Sequence, residues 1–473
     1  MSFVSPEFAL LALLFFPLYW ALARWPRWQL AGLTLCGYGL YATWSLSLAG
    51  VLLGYSVAVW ALGRWIAPPA DLIGPPSRRR LALGVGLVLA VLFLVLAKYY
   101  EFLRASLATL LAAWGSHLPL PVLDMVTPVG VSFFTFQAIT YLVSMAQPGA
   151  TPRPPGQVLL FLGFWPTLFA GPILRAEPFF AQVDAGRFGR PHEAWRALYL
   201  ILLGLAQKLV CASWLAETFA DPVFRYPEQH AGLAVLAGMV GYALQIFLDF
   251  SGYTLIVTGL GLLLGFELPL NFQQPYLARN LQGFWQRWHM SLSSFIRDYI
   301  YIPLGGRHGS WARTQWHVMA AMLISGAWHG ANWTFIVWGA LHGLGMVAFN
   351  LWRDRAWPVW PAWLARGLTL SFVTLAWLFF RADSLDQAWL LLTQLPATLP
   401  QWARAGDMPV HGLVLFACLF FWFSRHAQTL EHWAVRLLQT LGPIGAVPVL
   451  SALLWLLIQL GPDGVPSFIY YRF

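Results

Sequence analysis

Between Arg313 and Arg353 the chain runs for 39 residues without one Asp, Glu, Lys or Arg. One helical crossing of a bilayer needs about 20 apolar residues, so this stretch is long enough for two. A water-soluble fold has no place for it. Residues 81–97 repeat the theme, reading LALGVGLVLAVLFLVLA. Only 10% of the 473 residues are charged and 59% are hydrophobic, whereas a soluble domain carries about 25% charged residues. A disordered chain, a collagen, a coiled coil and a secreted disulfide scaffold are all excluded by that balance. Cys36, Cys211 and Cys418 lie far apart in apolar runs, with no CxxC or Cys/His cluster, so neither a metal site nor a disulfide framework is implied. The fold class is an all-α polytopic membrane protein.

The formal charge of +9 does not point to nucleic acid. Basic residues are scattered singly between apolar stretches, and only Arg78, Arg79 and Arg80 form a run. That is the pattern of short cytoplasmic loops facing anionic lipid, and the partner it implies is the bilayer. Residues 8–23, ending in Ala21-Leu22-Ala23, resemble a signal-peptide core. A signal peptide has its positive region before that core, but here Glu7 precedes it and Arg24 and Arg27 follow. An uncleaved first helix is expected, with residues 24–29 in the cytoplasm.

Apolar length predicts spans at 8–23, 30–48, 49–63, 81–97, 127–145, 195–215, 230–248 and 250–266. Two more fall within 314–350, and others near 366–380, 410–424 and 443–460, for about eleven to thirteen in all. The Pro-rich segment 67–76 reads as a cytoplasmic loop. Residues 157–180 and 271–310 do not read as simple spans. The first holds Pro166, Gly171 and Pro172; the second mixes Trp and Tyr with Arg279, Arg287, Arg297, Asp298 and Arg307. Irregular or charged backbone at membrane depth persists only where protein or a water-filled cavity surrounds it. Chemistry is expected there. No internal repeat and no long polar linker is evident, so residues 1–473 are read as one membrane domain.

The sequence has no P-loop, GxGxxG, GxSxG or HExxH motif. Histidine is the remaining reactive type. The uncharged stretch holds His317, His329 and His342, with His329 in Ala327-Trp328-His329-Gly330-Ala331-Asn332-Trp333. One reading of His329 is a neutral packing histidine beside a small Gly330. The other is a general base, because a neutral imidazole accepts a proton near working pH. His317 and His342 are read as structural, the latter packing one turn after Trp338. A second constellation runs from Asn280 through Trp285, Arg287, Trp288 and His289 to Ser293. Trp285 and His289 are four apart and would share a helix face. Arg297-Asp298, then Pro303, Gly305 and Gly306, suits a helix ending in a tight turn.

FWQRWHMSLSSFIRDYIYIPLGG at 284–306 and GAWHGANWTFIVWGALHG at 326–343 resemble the membrane-bound O-acyltransferase family, in its bacterial alginate O-acetylation branch. LAKYYEFL (96–103), TPVGVSFFTFQAITYL (127–142), FWPTLFAGPILR (164–175), YALQIFLDFSGY (242–253), NFQQPYLARN (271–280), WLFFRA (377–382) and the terminal SFIYYRF extend the likeness across most of the chain. The resemblance implies a ring of tilted helices around a central tunnel, with His329 as the catalytic residue and His289 as the second characteristic one. It implies no bound cofactor and no metal. Acetyl-CoA would be the donor substrate, from the cytoplasmic face of a bacterial inner membrane. Acceptors would be an exported polysaccharide or a periplasmic acyltransferase with a nucleophilic serine.

Such chemistry needs a base for the hydroxyl, a donor for the developing oxyanion, and exclusion of water. His329 suits the base; His289, Asn332 or a freed backbone N–H suits the donor. Trp328, Trp285, Arg287 and Asp249 are the further tunnel candidates. The branch usually carries Ser-Asp after FSGY, where this chain has Thr254-Leu255, an Asp where Ser144 stands, and an Asp-Tyr pair near Gly54-Tyr55-Ser56. Two alternatives to acetyl transfer are passage of D-alanyl or another acyl group from a carrier protein to an envelope polymer, and a transporter or flippase without covalent chemistry.

Overall fold

A computed structural model describes residues 3–67, 76–116, 118–123, 126–396 and 408–462. Most of the expected 67–76 loop and the terminal SFIYYRF lie outside the described residues. Every regular element among the described residues is helical, and eight helices are long and apolar enough to cross a membrane. The backbone groups into two compact units: Met1–Ala194 with Leu260–Pro269, and Trp195–Gly259 with Leu270–Phe473.

The first unit is built on helices Pro6–Ala21, Pro26–Ala42, Leu46–Ile66, Pro76–Leu94 and Val131–Met145. Ser5 and Ser45 cap two of them, accepting the N–H groups of Phe8 and Leu48 at 3.3 Å. Such a cap satisfies a donor that the first turn leaves open. The irregular segment expected at 157–180 is present as short helices Pro155–Leu162, Trp165–Leu168 and Ala176–Asp184. Residues 160–174 are buried throughout, so this non-helical backbone is enclosed by protein. Trp165 anchors it, its ring 5.7 Å from those of Phe3 and Phe8. Gly37 lets the Pro26–Ala42 helix touch it, since a Cβ there would stand 2.0 Å from the Gly163 carbonyl oxygen.

The second unit holds the Ala194–Leu205 helix and its π-wound continuation Ala206–Ala212, most of Leu233–Leu264, and the pair Trp311–His329 and Trp333–Asp354. Ala362–Arg381 and Val410–Leu460 complete its long helices. Two expectations need correction. Residues 230–248 and 250–266 are not separate spans: Leu233–Leu264 is one helix of 32 residues, about 48 Å long at 1.5 Å per residue. Asp249, at the expected join, is buried in an ion pair with Lys208 and does not interrupt it. The spans expected near 410–424 and 443–460 are not separated by a loop: residues 425–441 are helical, and the backbone leaves helical geometry at Gly442, whose φ is 62° before Pro443. Residues 314–350 form two helices, Trp311–His329 and Trp333–Asp354, broken at 330–332, and the second is among the eight long and apolar enough to cross.

Candidate active site

Ser310 accepts the Arg313 N–H at 3.3 Å and starts the helix that carries His329. That helix stops at His329 because Gly330 is extended, at φ −170°. Asn332 then caps the returning helix by accepting the Thr334 N–H at 3.1 Å. The two helices meet backbone to backbone. A Cβ on Gly326 would lie 2.4 Å from the Phe335 carbonyl oxygen, and one on Gly339 would lie 2.6 Å from that of Met322. This close crossing sets His329 at the inner end of the hairpin, 3% exposed. Its ring packs against Trp328, Trp338 and Phe380, each at 5.0 Å between centroids. The carbonyl end of a helix carries partial negative charge, which stabilises the cation formed when such a ring takes up a proton.

His289 is placed by a different device. Asn280 caps the short helix Leu281–Trp285 by accepting the Gly283 N–H at 2.7 Å. The chain turns through Gln286–Trp288, and His289 adopts φ 43°, ψ 54°. A left-handed non-glycine residue costs about 1–3 kcal/mol and persists only where its surroundings fix it. Here residues 271–273 clamp both sides: Gln273 N–H donates to the Arg287 carbonyl at 3.0 Å, and Met290 N–H to that of Asn271 at 2.9 Å. The Ser291 hydroxyl donates to Asn271 Oδ1 at 2.6 Å. His289 is wholly buried, its ring 4.7 Å from Phe250 and 6.0 Å from Trp328. The expected shared helix face with Trp285 is therefore wrong, because the helix ends at Trp285 and His289 belongs to the next one.

Trp328 thus joins the two histidines in one aromatic cluster. His342 extends it, 4.8 Å from Trp338 and 4.9 Å from Trp285. His317 stands apart, with Nδ1 2.9 Å from the Gly306 carbonyl oxygen. It holds the Gly305–Gly306 turn, where a Cβ on Gly305 would lie 2.7 Å from its ring.

Trp285 and Met290 line a cavity of about 530 Å³ in the same unit, shared with Gln282, Arg297, Arg307 and Arg353. Arg297 pairs with Asp298 at 2.6 Å and Arg353 with Asp354 at 2.9 Å, so of the three guanidiniums on that lining two already face a carboxylate. Arg287, the arginine expected in the tunnel, is half-buried and does not line this cavity. Asn332 uses its amide twice for structure, accepting from Thr334 and donating to the Asp383 carbonyl at 2.9 Å. Asp249 is engaged by Lys208. Ser144 donates to the Tyr141 carbonyl at 2.7 Å and Ser56 to that of Leu52 at 2.8 Å. Among the described residues no three His, Cys, Asp or Glu side chains gather as metal ligands. Phe380 and Arg353 were not singled out by sequence as site residues, whereas Arg297 and Arg307 fall in the 271–310 segment where chemistry was expected. Lys208 was visible as one of two lysines, each within an apolar run.

Residues 124–384 match the membrane-bound O-acyltransferase family profile. The chain is 35% identical over 392 residues to the protein named probable alginate O-acetylase of Azotobacter vinelandii, covering 82% of this chain and 77% of that one. It is 32% identical to a peptidoglycan O-acetyltransferase of Helicobacter pylori, over 78% of this chain and 74% of the relative. A teichoic acid D-alanyltransferase of Streptococcus thermophilus is 30% identical over 48% of this chain and 58% of its own length. The membrane-length helices and these matches define a multi-pass membrane acyltransferase. The chain belongs to the membrane-bound O-acyltransferase family.

Proposed function

We propose that this protein takes acetyl groups from acetyl-CoA at the cytoplasmic face of a bacterial inner membrane and delivers them outward. The acceptor is an exported polysaccharide or a periplasmic acyltransferase bearing a nucleophilic serine. One observation carries the reading: two buried histidines, His329 and His289, share Trp328 in a unit that also holds an arginine-lined cavity. His329 acts as the base. It takes the acceptor's hydroxyl proton as that oxygen attacks the thioester carbonyl, and the same proton goes to the departing thiolate sulfur when the C–S bond breaks. Protons balance without a cofactor. His289 donates to or orients the developing oxyanion, and the Trp328, Trp338 and Phe380 rings exclude water that would hydrolyse the thioester.

An acetyl group is favoured over D-alanyl because the O-acetylating relatives align over far more of the chain. The test supplies labelled acetyl-CoA to the cytoplasmic side of membrane vesicles containing the protein and measures label on an external acceptor. Equal transfer by vesicles lacking it would sink the donor assignment. Transfer only from an aminoacylated carrier protein would replace acetyl by D-alanyl.

Arg307 and Arg353 are suited to the phosphates of the donor. Arg307→Gln with Arg353→Gln should raise KM for acetyl-CoA about tenfold or more, since a charge-assisted hydrogen bond is worth about 1.5–3 kcal/mol. Turnover at saturating donor should hardly change. Steady-state kinetics at matched protein levels checks this, and an unaltered KM would move the phosphates elsewhere.

A further inference from the structure

Asp249 and Lys208 both sit within long apolar helical runs, and each is buried against the other. Lys208 is 1% exposed. Its helix is wound as a π-helix over Ala206–Ala212, and Ser213 donates to the Lys208 carbonyl at 3.3 Å. Single-turn π segments of this kind concentrate at functional sites. Nearby the two backbones touch. A Cβ on Gly204 would lie 2.5 Å from the Gly252 carbonyl oxygen, and one on Gly252 would lie 3.1 Å from the Lys208 nitrogen. Axial sliding of one helix past the other is blocked at that crossing. The residue after Asp249 is Phe250, whose ring meets His289 edge-on at 4.7 Å.

A buried ion pair is weak evidence for stability, because an apolar pair of similar volume often serves as well. Charges kept at membrane depth are a sign of function. We infer that the Lys208–Asp249 pair is a positioning device: it fixes the rotation and height of the Leu233–Leu264 helix so that Phe250 holds the His289 ring in its working orientation. The inference rests on His289 belonging to the acyl-transfer site. It concerns residues that touch neither donor nor acceptor.

Removing one partner strands the other charge in an apolar interior, so single variants report folding. The informative change is Lys208→Met with Asp249→Leu, which removes both charges and keeps the volume. In the full-length protein in lipid nanodiscs, turnover should fall about tenfold or more at unchanged KM for acetyl-CoA, with abundance and Tm near wild type. With isotope-labelled histidine, the ring resonance of His289, assigned through His289→Gln, should move while that of His342 stays. Phe250→Leu leaves the ion pair intact and should reproduce both effects. Wild-type turnover with an unmoved His289 signal in the double variant would overturn the inference. Loss of the double variant from the membrane would also overturn it, making the pair a fold determinant. Should wild-type protein itself fail to use acetyl-CoA, the donor reading falls, and the His289 resonance still decides the positioning claim.

Discussion

His329→Ala should lower acyl transfer by about 10²–10⁴-fold, the usual contribution of a well-placed general base. The variant should still insert, because removing an imidazole from an apolar hairpin makes the segment easier to accommodate. Its folding is also protected locally: the close crossing at Gly326 and Gly339 involves backbone atoms that the substitution does not touch. His329→Gln keeps a polar group of similar reach without the base, and should be as impaired as alanine. His289→Ala should also lose transfer severely. Here part of the loss has another source, since the ring packed on Phe250 and Trp328, which helps hold the left-handed backbone at φ 43°, is removed. His317→Ala and His342→Ala serve as controls and should keep most activity. Acceptor acetylation at matched membrane levels of each variant is the measurement. Substantial transfer by the His329 variants at normal abundance would remove His329 from the base role.

What the sequence revealed follows from which interactions are local. Apolar length and the scarcity of charge are properties of contiguous residues, and they were enough to predict helices and a membrane. The motif around His289 was equally visible. Its geometry was not, because the left-handed turn there is imposed by Asn271 and Gln273, which reach it from outside the local helix pattern. Spacing alone therefore put Trp285 and His289 on a common face. The unbroken Leu233–Leu264 helix was hidden for the same kind of reason. An acid inside an apolar run looks like a boundary until its cation, 41 positions away, is found beside it. The His342–Trp338 contact is local and was legible, but the approach of His289 to Trp328 and of His329 to Trp338 is tertiary. The cavity is tertiary too: Arg297 and Arg307 lie in the 271–310 segment marked for chemistry, but only the fold brings Arg353, from a third element, beside them.

Gly330→Ala should cut transfer about a hundredfold while leaving the protein in the membrane at normal abundance. Gly330 is extended, at φ −170°, a backbone that any residue adopts, so the substitution carries no dihedral penalty. The obstacle is space. A Cβ there would stand 2.2 Å from the ring of Phe335, which packs at 5.0 Å on Phe380, which in turn packs at 5.0 Å on His329. The added methyl must push Phe335 outward, and the displacement passes to Phe380, one of the rings packed on His329. Overpacking of this kind typically costs about 1–3 kcal/mol of stability, too little to unfold a hairpin whose crossing point lies at Gly326 and Gly339. A shift of roughly 1 Å in a reacting group, by contrast, can cost about 10²-fold in rate. The two effects separate cleanly when thermal stability and transfer are measured on the same preparation. Phe335→Leu added to Gly330→Ala makes room for the methyl and should restore much of the lost rate. A Gly330→Ala protein with wild-type turnover would show that the wall behind His329 is loose and that its ring is held by other contacts.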